Sequence, residues 1–137
     1  MIHAAFSPYT SAIGRPAAPL LRTYGEAIGA GQVFVAEETG GVIGVAVLES
    51  QKAELILEVL AVSPAWQGRG IGGSLLSFAE HLAGLGGCHL VRLYTNVVMQ
   101  DSIRFYSSRG YIETHRGASE GYQRIHMQKQ LRRLGAR

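Results

Sequence analysis

Cysteine is almost missing from this chain of 137 residues: Cys88 stands alone. One thiol forms no intrachain disulfide, so no oxidising compartment is implied. At a strand start it reads as a small buried residue rather than a nucleophile. Long apolar runs are missing too; none approaches the roughly 20 residues that a bilayer-crossing helix needs. No charged stretch followed by an apolar one opens the chain, so a secretory leader is not expected. His81, His89, His115 and His126 fall on separate elements. None has a second His, Cys or carboxylate at metal-ligand spacing, so no metal is expected. Basic residues are scattered apart from Arg132, Arg133 and Arg137, without the interleaved aromatics of a nucleic-acid surface. Repeats, low-complexity tracts and linkers are absent as well, so 1–137 reads as one domain. These absences describe a soluble, cytoplasmic protein without a membrane, metal or nucleic-acid partner.

Hydrophobic residues make up 47% of the chain and charged residues 17%, enough for a sizeable core. The 18 glycines point to tight turns or to main chain lying close against a ligand. A net charge of +3 and a pI near 9.3 lean the surface towards one anionic ligand.

The first thirty residues read as two helices, Ala4–Ser11 and Ala18–Ile28, broken at Gly14-Arg15-Pro16. From Gln32 the period changes. Val33–Glu37 and Val42–Leu48 are strands joined by a Thr39-Gly40-Gly41 hairpin, and Ala53–Val62 is a third strand. Ile71, Leu75, Phe78, Ala79 and Leu82 recur at helical spacing, so Gly70–Leu85 is an amphipathic helix. His89–Thr95 is a strand and Asp101–Arg109 a short helix. Tyr111–His115 and Gln123–Gln130 are closing strands around a turn over Arg116–Tyr122. A βαβ unit flanked by antiparallel strands predicts an α/β fold with a mixed sheet.

The most informative stretch runs from Leu60-Ala61-Val62 through Pro64 to Gln67-Gly68-Arg69-Gly70-Ile71-Gly72. A strand enters a glycine-rich turn that opens directly into a helix. The first helical turn has N–H groups with no internal partner, and the helix dipole adds positive charge there. Arg69 adds a full charge, so the turn is an anion cradle suited to a pyrophosphate. The plainer reading is a loop whose glycines only make the turn. Gly68-Arg69-Gly70-Ile71-Gly72-Gly73 also satisfies a dinucleotide-binding fingerprint. That fingerprint requires an acidic residue about twenty positions onward, where this chain has Leu93-Tyr94-Thr95-Asn96.

Gln67-x-x-Gly70-x-Gly72, after Leu60-Ala61-Val62-x-Pro64, resembles the acetyl-CoA signature of the GNAT acetyltransferase superfamily. Asn96, then Phe105-Tyr106 and Gly110-Tyr111, resemble the family's second block. The resemblance covers about residues 32–130. It implies a GNAT-like sheet splayed open beside the signature strand, with acetyl-CoA as donor. Main-chain groups of Leu60, Ala61 and Val62 would hold the pantetheine arm, and Asn96 would bond the same arm. The amides of Gln67, Gly68, Arg69, Gly70, Ile71 and Gly72 would hold the pyrophosphate. Tyr106 matches the position of the general acid that protonates the departing sulfur, and also suits a packing anchor.

Acetyl transfer to an amine also calls for a base. Glu54 and Glu58 share one face of their strand, and Glu58 is nearer the slot, where burial would raise its pKa. A solvated or salt-bridged glutamate is the competing reading, with a water chain as base. The implied function is N-acetylation of a primary amine, small or on a protein; the alternative is a non-catalytic CoA-binding module. Segments Pro8–Pro19 and Arg116–Tyr122 are where acceptor choice is expected to lie. GNAT domains usually start with a strand, whereas this chain begins in helical sequence. That strand is absent, supplied by a partner, or lost to a misassigned start. An uncovered edge favours pairing of copies, so a homodimer is expected.

Overall fold

A computed structural model describes residues 32–131. The two N-terminal helices expected above, and the matter of an opening strand, lie outside these residues. The described elements are β1 (Val33–Glu38), β2 (Gly41–Gln51), β3 (Glu54–Val62) and a 3₁₀ turn (Pro64–Trp66). There follow α1 (Ile71–Leu85), β4 (Leu90–Asn96), α2 (Gln100–Ser107), β5 (Ile112–Ser119) and β6 (Tyr122–Gln130). The strands form one six-stranded mixed sheet in the order β1-β2-β3-β4-β6-β5. Only β3 and β4 run parallel, because α1 carries the chain back between them.

Burial explains the arrangement. β2 is buried continuously from Ile43 to Leu48 and is covered on both faces. On α1, Leu75, Leu76, Ala79 and Ala83 are buried at helical spacing. They meet Ala46 and Leu48 of β2, Leu55 and Leu57 of β3, and Val91 and Leu93 of β4 in one core cluster. The helix ends where Gly86 N–H returns to the Leu82 carbonyl at 3.0 Å.

The turn expected over Arg116–Tyr122 shrinks to Glu120-Gly121, with φ of 53° and 83°, between β5 and β6. Two positive-φ residues make the tight connection whose twist matches paired strands. Arg116-Gly117-Ala118-Ser119 shows no apolar alternation because β5 is exposed along its whole length. Pairing with β6, rather than its own pattern, makes that segment a strand. As an edge strand it carries Glu113 and Arg116, charges that discourage further strand addition.

A bulge in β3 was not legible from the sequence. Val47 pairs with Val59 but Leu48 pairs with Leu57, which inserts Glu58 as the extra residue. A bulge re-aims the strand beyond it. Below it, Leu55 and Leu57 face the helices. Above it the helix-facing residues are Leu60, packed on the same core, and Val62, whose methyl lies 3.6 Å from a Cβ built on Gly72.

Candidate active site

The parallel pairing of β3 with β4 stops at Leu57↔Leu93, directly before the bulged Glu58. β3 continues to Val62 alongside β2 only, and β4 continues to Asn96 alongside β6 only. The sheet therefore opens between the upper halves of two neighbouring strands. Ser63 N–H donates to the Ile43 carbonyl on β2 at 2.7 Å. Alternation along the strand then turns the N–H and C=O groups of Leu60 and Val62 towards the gap, and those of Ala61 towards β2. Of the three main-chain positions expected to line the slot, Leu60 and Val62 present hydrogen-bonding groups to it.

The glycine turn stands at the top of the gap. Gly68 and Gly70 have φ of 80° and 81°, which a side chain would strain. This conformation lets the chain leave the 3₁₀ turn and enter α1 at once. The N–H groups of Ile71, Gly72 and Gly73 have no earlier turn to bond. No side chain caps the helix, and its first turn holds no acidic residue. The Arg69 guanidinium lies 4.7 Å from the centre of the Trp66 ring. Bare amides, the positive end of a helix and a cation on a platform fit a pyrophosphate.

α2 closes the other side. Phe105 lies 3.4 Å from a Cβ built on Gly72, which sets α2 against the first turn of α1. Asn96, the last residue of β4 and so at the edge of the gap, accepts from Val98 N–H through Oδ1 at 3.1 Å. Tyr106 is buried on α2 between Phe105 and Tyr111, with ring centres 5.2 and 5.7 Å away. Burial raises its pKa well above the ordinary phenol value, so it holds its proton at neutral pH. Sequence reasoning missed Arg109. It lies one helical turn past Phe105, its guanidinium stacked 4.0 Å over that ring. One of its nitrogens stands 3.0 Å from a Cβ built on Gly73, beside the helix start. The spacing from Phe105-Tyr106 was the available signal.

The sheet face away from α1 and α2 gathers a second set of polar groups. Glu54, Ile56 and Glu58 on β3 share it with Arg92, Tyr94 and Asn96 on β4 and Arg124 and His126 on β6. Glu54 Oε2 lies 2.7 Å from Arg92 Nε. That nitrogen is buried and out of hydrogen-bond alignment, so the contact is an ion pair of poor direction. Glu54 is thereby paired with Arg92; Glu58, also engaged in an interaction, is the carboxylate beside the splay. The ring of His126 stacks on that of His115 with centres 4.1 Å apart. Burial lowers the pKa of His126, helped by His115, Arg124 and Arg92.

A mixed sheet opened between two parallel strands, with a helix start at its mouth, is the framework of GNAT-fold acyltransferases. The family pattern described as an acetyltransferase (GNAT) domain matches residues 29–113. The chain belongs to that family. Over 59 residues it is 39% identical to the aminoalkylphosphonate N-acetyltransferase of Salmonella typhimurium, covering 43% of this chain. The match spans only 38% of that enzyme's length. Ard1 from Thermoplasma volcanium superposes with a TM-score of 0.72 at 18% identity, covering 95% of this chain and 90% of that one. The PaiA N-acetyltransferase of Thermoplasma acidophilum, solved with coenzyme A, gives 0.64 at 22% identity, covering 72% and 60%. Among the described residues, no helix is long and apolar enough to cross a membrane.

Proposed function

We propose that this chain transfers the acetyl group of acetyl-CoA to a small primary amine by direct attack on the thioester. The observation that carries the reading is the end of β3–β4 pairing at Leu57↔Leu93, directly below the uncapped start of α1. That gap offers Leu60 and Val62 main-chain groups to an amide-bearing arm, as an added strand would use them. The Asn96 amide reaches the same arm from the β4 side. The amides of the Gln67–Gly72 turn, with Arg69 and Arg109, hold the pyrophosphate.

In the transfer the amine nitrogen bonds to the carbonyl carbon, the carbon–sulfur bond breaks, and the sulfur leaves as a thiolate. Glu58, directly or through water, takes the proton that the amine loses. Tyr106 gives its proton to the departing thiolate and regains one from solvent. The oxyanion is stabilised by a main-chain N–H of the splayed strand at Leu60. The Salmonella relative, named for N-acetylation of an aminoalkylphosphonate, supports a small amine as acceptor.

A thiol-release assay with acetyl-CoA over a panel of amines tests the proposal, alongside calorimetric binding of acetyl-CoA. Micromolar binding with amine-dependent thiol release is expected. Binding without release on any amine would leave a CoA-binding module in place of the enzyme. No binding would remove the site altogether.

A further inference from the structure

We infer that Arg124 forms a receptor for an anionic group on the acceptor. The preferred substrate is then a small primary amine that also carries a carboxylate, phosphonate or sulfonate. This deepens the acetyltransferase reading and rests on it for the position of the amine.

Arg124 is the one charged residue buried among those described, with 7% of its surface exposed. A buried guanidinium is costly unless an anion and well-aligned acceptors surround it. What surrounds Arg124 falls short of that. Nη1 donates to Ser119 Oγ at 3.3 Å. The nearest carboxylate, on Glu120, is 3.7 Å from Nη2, and its side chain is 80% exposed. The remaining contacts are ring faces, Tyr94 at 4.3 Å and Tyr122 at 5.6 Å. A fork of five N–H donors is left mostly without acceptors among the described residues. A small part of the side chain, 9%, stays exposed, so the guanidinium is not fully sealed.

Its position gives that edge a purpose. Arg124 pairs with Asn96 across β4 and β6, but its guanidinium lies over Tyr94, on the strand that borders the gap. Tyr94 follows Leu93, and Glu58 follows Leu57, the last residues paired between β4 and β3. Glu58 and Tyr94 are therefore level, on opposite sides of the opening. Along this face, charge changes sign from Glu58 at the gap to Arg124, with Arg92 and the His115–His126 stack beside it. Arg92 is already held by Glu54. The lowered proton affinity of His126, partly due to Arg124 and Arg92, fits a positive local field. An acceptor with its amine at Glu58 and its oxyanion on Arg124 matches this polarity, and the guanidinium fork suits a planar or tetrahedral oxyanion. The depth of Arg124 suits a small group rather than a protein surface.

The test compares 2-aminoethylphosphonate, taurine and β-alanine with ethanolamine, propylamine and 1,3-diaminopropane. Wild type, Arg124→Gln and Arg124→Lys are assayed for kcat/KM, with acetyl-CoA affinity measured to verify an intact donor site. Wild type should favour the anionic amines about tenfold or more over the neutral ones, the scale of a charged hydrogen bond. Arg124→Gln should erase that ratio while leaving neutral amines and acetyl-CoA affinity within about twofold; Arg124→Lys should keep part of it. A preference for neutral or cationic amines, or an equal loss on every amine in Arg124→Gln, overturns the inference. Direct calorimetric binding of 2-aminoethylphosphonate separates the two readings. Binding that Arg124→Gln abolishes, with no transfer in wild type, would uphold the receptor and sink the acetyltransferase.

Discussion

Gln67 donates its side-chain amide to the main-chain carbonyl of Val62, with Nε2 3.0 Å from the oxygen. The bond ties the glycine turn back to the last residue of β3, and the carbonyl it engages lies on the open side of that strand. Gln67 therefore acts as a brace that sets the height of the glycine turn over the gap, while its own N–H closes the 3₁₀ turn on the Pro64 carbonyl at 3.3 Å. Gln67→Ala removes one hydrogen bond of about 1 kcal/mol. Calorimetry should show acetyl-CoA affinity weakened several-fold, with kcat at saturating donor changed less. Unaltered affinity would assign the brace to the loop alone.

Two glycines of the same region should respond in opposite directions. Gly70 has φ of 81°, so Gly70→Ala should cost about 1–2 kcal/mol and lower Tm by several degrees. Gly84 is helical, and a Cβ there meets nothing within 4 Å. Gly84→Ala should therefore stabilise by about 0.5–1 kcal/mol. Thermal melts of the two variants decide it, and equal shifts would contradict the backbone geometry.

Tyr106→Phe should lower kcat by about a hundredfold with acetyl-CoA affinity unchanged, if the phenol protonates the leaving sulfur. Unchanged turnover would make Tyr106 a packing residue. Burial raises the pKa of Tyr106, and burial with the Glu80 carboxylate raises that of Tyr111. A folded-state pKa above the unfolded value favours folding fully below the ordinary phenol pKa of about 10, and that contribution is lost as pH rises beyond it. An alkaline absorbance titration should show a late-ionising component that is reduced in Tyr106→Phe.

His126 works in the other direction. Its folded pKa is depressed, so the unfolded chain binds a proton first as pH falls through about 6.5. The folded state loses stability from that point down to the depressed value. Arg124, Arg92, Tyr94 and His115 face this ring, so the effect belongs to the cluster. His126→Gln should flatten the decline of Tm between pH 7 and pH 5; an identical slope would show that His126 is uninvolved.

Glu80 joins three elements. Its carboxylate accepts from Tyr111 at 3.0 Å and from Lys129 at 3.0 Å, linking α1 to the entry of β5 and to β6. Glu80→Ala strands both partners, and a loss of about 1–3 kcal/mol is expected in denaturant melts. Glu80 lies more than two turns along α1 from the glycine turn, so acetyl-CoA affinity should hold.

The elements that local pattern controls were legible. α1 follows from the spacing of Ile71, Leu75, Phe78, Ala79 and Leu82, although Leu75, Leu76, Ala79 and Ala83 are the buried set and Phe78 is exposed; the glycine turn follows from residues that few other conformations suit. β5 was half lost because an edge strand exposed along its length needs no apolar alternation. The bulge at Glu58 was hidden for a subtler reason. Leu55, Leu57, Val59 and Ala61 are all buried, so the strand reads as unbroken alternation although its faces exchange midway. β2 beside it is covered on both faces, which lets buried residues point either way.

Sequence alone determined the order of strands and helices over the described residues, the glycine turn and the family signature, because each depends on neighbours along the chain. Tertiary structure decided where β3 leaves β4, which main-chain groups face the gap, and that the Arg124 guanidinium lies over Tyr94. Those relations arise only when strands distant in sequence pair in a particular register, and register is set by packing across the whole sheet.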